Sequence, residues 1–169
     1  MEDGHRLRRA TVTKSEIQTV LIVLSETPKQ ITRLARGRTH QHLHHKPDAS
    51  AWSALEIVAH LRACADVWGG HIDRMLTEDH PTIRHVSPRS WIRKTDYLQQ
   101  SFRDSLRVFS RQRATLIETL TRLDTKGWSR GATFTATTLW RGATVLSLAT
   151  RIADHEVVHL GQLERTIRA

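Results

Sequence analysis

The 169-residue sequence holds a single cysteine, Cys64, so no disulfide can form within the chain and nothing in it calls for an oxidising compartment. Long hydrophobic runs are also missing. The strongest covers only residues 20–24, far short of a membrane span or a signal-peptide core. A cytoplasmic location with no membrane partner is the expectation. Aromatic residues make up only 5% of the chain and no nucleic-acid-binding module is recognisable. Glycines do not gather into a Walker loop, a Gly-x-Gly-x-x-Gly turn or a Gly-x-Ser-x-Gly elbow, which leaves phosphate-loop and serine-nucleophile chemistry without support. Strand-type alternation is not convincing anywhere. The best extended candidate, residues 132–139, is rich in threonine but has no obvious partner.

What the chain does have is positive charge and helical periodicity. The net charge is +9, yet basic residues are spread from Arg6 to Arg168, with only Arg6-Leu7-Arg8-Arg9 forming a dense block. That spread fits arginines on the solvent faces of helices. Nucleic acid is therefore not an expected partner, while an acidic small molecule would be attracted. Residues 1–12 read as a basic tail and 13–169 as one domain, long enough to bury a core.

Four segments carry a 3.6-residue period. The first covers 13–36, with Thr13 and Glu16 in capping-box spacing and Pro28 expected to break or kink it before Ile31 and Leu34 resume the face. The second starts at Ser53, whose capping-box partner is Glu56, with Trp52 and Ile57 placed as a hydrophobic staple, and runs to about 76. A third, 90–123, steps through Phe102, Leu106, Phe109, Arg113, Leu116, Leu120 and Leu123. The fourth, 143–167, places Val145, Leu148, Ile152, His155, His159 and Leu163 on one arc. The pattern predicts an all-α four-helix bundle. Its connections are long enough to cross the bundle end to end, so spacing leaves the helix directions open.

Chemistry concentrates on histidine. His155 and His159 stand one turn apart on the apolar arc, where two buried imidazoles without partners would cost about 1–3 kcal/mol each and one metal ion would satisfy both. His60, on a mixed stripe of the second helix with Glu56, Cys64, Val67 and His71, is the candidate third ligand. Cys64 reads as a small buried thiol rather than a fourth ligand. His71 lies too far along the axis to join. His155-Glu156-x-x-His159 also matches the zincin motif, but the wheel places Glu156 toward the flank of the core arc and no strand lines a cleft, so a peptidase is disfavoured. His40, His42, His44 and His45, ahead of Pro47, read as a solvated, partly flexible linker.

Taken together, Trp52-Ser53-Ala54-Leu55-Glu56-Ile57-Val58-Ala59-His60-Leu61 and Ala153-Asp154-His155-Glu156-Val157-Val158-His159-Leu160-Gly161-Gln162-Leu163 resemble the DinB/YfiT-like superfamily. The Pro28 break, the Phe109-to-Leu120 pattern with Arg113 and the Trp128–Phe134 stretch are similar as well. The resemblance covers nearly the whole chain in the expected order. It implies an up-down-down-up bundle and a divalent ion, zinc or nickel, on His60, His155 and His159. It also implies a homodimer and a small-molecule substrate. Among relatives with known activity it points to thiol S-transferases and isomerases that use low-molecular-weight thiols such as bacillithiol or mycothiol. Where relatives more often carry Asp or another polar residue after the first motif histidine, this chain has Glu156. Three neutral histidines leave an ion open to bind water or a thiol. Glu56 is the candidate for orienting His60 or accepting a proton. A non-catalytic metal- or ligand-binding role in stress response, and a basic nucleic-acid-associated module, are the alternatives.

Overall fold

The computed structural model describes residues 12–137 and 142–169. The basic tail, apart from Val12, and the end of the threonine-rich stretch lie outside the described residues. Four long helices dominate: α1 (Lys14–Ala35), α3 (Ala54–Thr77), α5 (Phe102–Thr121) and α7 (Val145–Arg168). Between them come α2 (His40–His44), α4 (Pro88–Ile92), α6 (Thr125–Trp128) and the strands β1 (Thr82–Arg84), β2 (Gly131–Thr135) and β3 (Gly142–Thr144).

Local chemistry starts the helices where the sequence says it should. Thr13 and Glu16 close a capping box on α1, and Ser53 and Glu56 close one on α3. A third uses Thr144 and Ser147 at α7, where a serine hydroxyl does the work usually given to Glu or Gln. Pro28 does not break α1, which runs unbroken through it. Its missing N–H costs one helical bond, and packing of Leu24 and Ile31 on either side holds the helix together.

Packing settles the directions. The start of α3 meets the end of α7, where Thr166 Oγ1 donates to Trp52 O at 3.4 Å, so these two are antiparallel. Ile57 and Val58 share a core cluster with Phe102 and Phe109, and Ile72 and Met75 one with Leu116 and Leu120, so α3 and α5 are parallel. Val20 and Leu24 meet Val145, Leu148 and Ile152, while Ile31 meets Leu163 and Ile167, so α1 and α7 are parallel. The bundle is up-down-down-up. Around the bundle the order is α1, α7, α3, α5, so α3 and α5 are neighbours while α1 and α3, and α5 and α7, sit on diagonals.

The parallel α3–α5 pair forces the chain to travel back along the bundle between them. That return segment corrects the expectation of one helix over 90–123: α4 ends at Ile92, and α5 starts afresh at Phe102 behind the Ser101 cap. Asp66 on α3 holds the segment down, accepting from Trp91 Nε1 at 3.1 Å and Tyr97 Oη at 2.5 Å. Arg62 stacks on the Tyr97 ring at 3.7 Å and donates to Gln100 Oε1.

The expected lack of strands is also corrected. Residues 131–135 form β2, which pairs in parallel with β1 and antiparallel with β3. Ile83, Ala132 and Phe134 turn into the core cluster around Trp68, Ile72 and Met75, closing one end of the bundle. The partner was invisible because β1 has three residues and its mate lies some fifty positions away. A third correction concerns the histidine cluster. Capped by Thr39, His40–His44 form α2, which buries Leu43, and His42 Nε2 meets Ile167 O at 2.7 Å. No helix among the described residues is long and apolar enough to cross a membrane.

Candidate metal centre

His60 stands two turns into α3, and His155 and His159 lie in the middle of α7, on the antiparallel seam between the two helices. The structure brings all three together. His155 Nε2 is 3.3 Å from His60 Nε2 and 3.1 Å from His159 Nε2, and the three ligand atoms lie within 4.8 Å of one another. His60 is buried and the other two are half-buried, so the cluster touches solvent on one side.

Its surroundings are apolar and aromatic. Trp52 stacks parallel to His159 at 6.0 Å and meets His60 edge-on at 5.1 Å, while Trp68 meets the His155 ring edge-on at 4.8 Å. Burial between these walls disfavours the charged imidazolium. It lowers His60 to about 4 and His155 to about 3, helped by neighbouring histidines, and pushes His159 down as well. Gln162, one turn beyond His159, accepts at Oε1 from His159 Nδ1 at 2.8 Å. That bond places the proton on Nδ1 and leaves the Nε2 lone pair aimed into the cluster. His155 Nδ1 has no hydrogen-bond partner among the described residues.

The depressed values carry a pH prediction for the metal-free protein. Unfolded histidine titrates near 6.5, so the unfolded chain takes up protons that the folded cluster refuses. Stability is full above pH ~6.5 and falls as the pH drops toward 4. Urea midpoints measured across that range should decline with acid, and a flat profile would show that the imidazoles are not buried as described.

Beneath the cluster, where the four helices meet, Arg113 Nε on α5 donates to Glu156 Oε1 on α7. Arg113 is 2% exposed and Glu156 1%, so both charges are out of water. Burial pushes the Glu156 carboxyl up, and Arg113 with the Thr27 hydroxyl of α1 pulls it back. The Arg113 position on the apolar seam of α5 is thus filled by an ion pair joining two diagonal helices. Glu156 does not flank the core; it is inside it. It faces Arg113 rather than the cluster's open side, which removes the water-activating role that the zincin motif would give it.

The remaining candidates fall elsewhere. Glu56 is spent on structure: Oε2 accepts from Ser53 N at 2.8 Å and Oε1 pairs with Lys46 Nζ at 2.7 Å. Among the described residues no hydrogen bond links it to His60, so the orienting role expected of it has no geometric basis. Glu56→Gln should leave metal uptake intact and lose about 0.5–1 kcal/mol at the cap, read from urea melts and metal analysis of the same samples. Cys64 Sγ lies 3.5 Å from His60 Nε2, but burial raises its thiol far above its usual range and it does not join the three-nitrogen group. His71 packs edge-on against Phe134 at 5.2 Å, with His85 at 6.2 Å, well away from the triad. Two neighbours had gone unread: Gln162, legible as the i+3 partner of His159, and Trp52, whose second role as a wall for the imidazoles left no trace beyond the staple.

With this geometry in hand, the comparison with known families is direct. The family model of the DinB superfamily matches residues 24–163. The chain belongs to the DinB superfamily. Among solved structures, its fold superposes with a TM-score of 0.82 on a Bacillus subtilis protein described as "YfiT from Bacillus subtilis is a probable metal-dependent hydrolase with an unusual four-helix bundle topology". The match covers 95% of this chain and 90% of that one at 19% identity, which speaks for a shared DinB-type fold. A search of curated proteins finds no match.

Proposed function

We propose that His60, His155 and His159 hold one divalent metal ion, zinc or nickel, and that this DinB protein is a metal-dependent enzyme acting on a small molecule. The carrying observation is the convergence of three Nε2 atoms in a cluster that burial keeps neutral. A tetrahedral ion with nitrogens at about 2.0–2.1 Å spaces them about 3.3 Å apart, close to the 3.1 and 3.3 Å found here. Hydrogen bonding alone satisfies the cluster poorly. With the His159 proton on Nδ1, one N–H on His155 can reach only one of its two neighbours.

A divalent ion on three neutral imidazoles keeps its full charge and an open position, where it lowers the pKa of a water or thiol. The chain's own residues do the rest. Gln162 fixes the His159 tautomer, Trp52 and Trp68 exclude bulk water, and the Arg113–Glu156 pair holds α7 in register behind His155. We favour a low-molecular-weight thiol as co-substrate, transferred to an electrophile or used in an isomerisation. Among the described residues, neither carboxylate nearest the motif histidines is free to activate water, since Glu156 pairs inward with Arg113 and Glu56 caps α3. Hydrolysis through an activated water is the second reading, favoured by the fold shared with YfiT. The adjacent exposed Val157 and Val158 offer an apolar patch for the homodimer that the family resemblance implies.

The test is a side-by-side assay of metal-loaded protein for thiol consumption with electrophiles and for ester and amide hydrolysis. Thiol-dependent turnover supports the first reading and thiol-independent hydrolysis the second. Metal binding without either leaves a non-catalytic binding protein. DNA binding that falls steeply with salt, without metal uptake, would favour a nucleic-acid role instead.

A further inference from the structure

Beside the triad stands a cation that the metal reading does not use. Arg89, on α4, places its guanidinium over the Trp52 ring at 5.5 Å from the centroid. Trp52 is the same ring that stacks on His159 and meets His60 edge-on. Arg89 is exposed, and among the described residues no carboxylate pairs with it. It is near enough for its charge to disfavour protonation of both His60 and His159.

Its position is built rather than incidental. The return segment between α3 and α5 has to pass this end of the bundle, and Trp91 and Tyr97 both pin it to Asp66 Oδ2. The Arg62–Tyr97 stack and the Arg62–Gln100 bond fasten it again. Pro88, buried at the first turn of α4, fixes where the next residue points. The flat Trp52 face removes water from one side of the guanidinium while leaving its hydrogen-bonding edge open.

We propose that Arg89 is the specificity-determining residue of the site: it binds the carboxylate of a small-molecule ligand whose other end reaches the open side of the His60–His155–His159 cluster. This rests on the metal-centre reading for the ligand's second anchor but not for the first. An arginine fork suits a planar carboxylate, which it grips through two parallel N–H bonds.

The experiment compares two probes of similar size, 3-mercaptopropionate and 2-mercaptoethanol, on cobalt(II)-loaded protein, following the sulfur-to-cobalt charge-transfer band. Wild type should bind the carboxylate thiol about tenfold tighter, equivalent to about 1.4 kcal/mol. Arg89→Gln should bring the two probes to within about twofold, Arg89→Lys should keep part of the preference, and Arg93→Gln, which removes a like charge from the same segment, should behave as wild type. A preference that survives in Arg89→Gln, or that Arg93→Gln erases equally, overturns the assignment.

A second measurement needs no metal. Propionate titrated into metal-free protein should shift the Trp52 indole N–H and Arg89 side-chain NMR signals saturably in wild type, and the Trp52 signal should stay in place in Arg89→Gln. Absence of that shift in wild type overturns the Arg89 assignment. Failure of cobalt to load strikes the metal reading alone.

Discussion

Glu156→Ala is expected to destabilise the fold by about 3–5 kcal/mol. The reason is asymmetry. Arg113 and Glu156 are both buried where the four helices meet, and the pair is tolerable only because each charge answers the other. Removing the carboxylate leaves a guanidinium with no solvent and no counter-charge, and the helices must part to hydrate it. Removing both should be far milder. Arg113→Met with Glu156→Leu replaces the pair with apolar groups of similar length, and such swaps in other proteins are neutral or stabilising. Urea denaturation of the two single variants and the double closes the cycle. A small loss in Glu156→Ala, or a double variant as damaged as either single, would show that the pair is not the buried link described. Because Glu156 adjoins His155, the double variant also asks whether the ion pair sets the position of the triad. If it does, metal affinity should fall although the fold survives.

His155→Ala should abolish stabilisation by metal. A ligand that binds only the folded state adds about 4.1 kcal/mol when its concentration is a thousand times its dissociation constant. For the wild type, zinc or nickel in that excess should raise the urea midpoint accordingly. His155 is the central member, in contact with both other imidazoles, so its loss leaves two nitrogens whose separation no single remaining bond defines. His60→Ala and His159→Ala should lose most of the shift as well, while His71→Ala should keep it, since that imidazole packs on Phe134 far from the cluster. Equal shifts in wild type and His155→Ala would place the metal somewhere else.

Which features the sequence discloses depends on how far apart their causes lie. The capping boxes at Thr13 and Ser53 and the shared face of His155 and His159 are set by residues within one turn, and the structure carries them as the spacing predicts. The meeting of His60 with that pair spans ninety-five positions, but both helices show apolar arcs that need a partner. The return segment departs from the predicted helix because the amphipathic period running through residues 93–101 is overridden by the tertiary bonds to Asp66 and Arg62 and by the fresh cap at Ser101. The sheet was missed because β1 is three residues long. α2 looked like a polar linker because its single buried anchor, Leu43, stands among histidines. Glu56 drew attention by lying one turn from His60. A helix cap and a proton acceptor ask for the same residue type, and the bonds to Ser53 N and Lys46 decide for the cap.

The metal centre itself is tested most directly by anomalous scattering from crystals of protein loaded with one equivalent of zinc or nickel, with data on either side of the metal edge. One strong peak is expected, within about 2.0–2.2 Å of Nε2 of His60, His155 and His159 together. A peak at another set of residues, or none at the triad in crystals shown to contain metal, would contradict it.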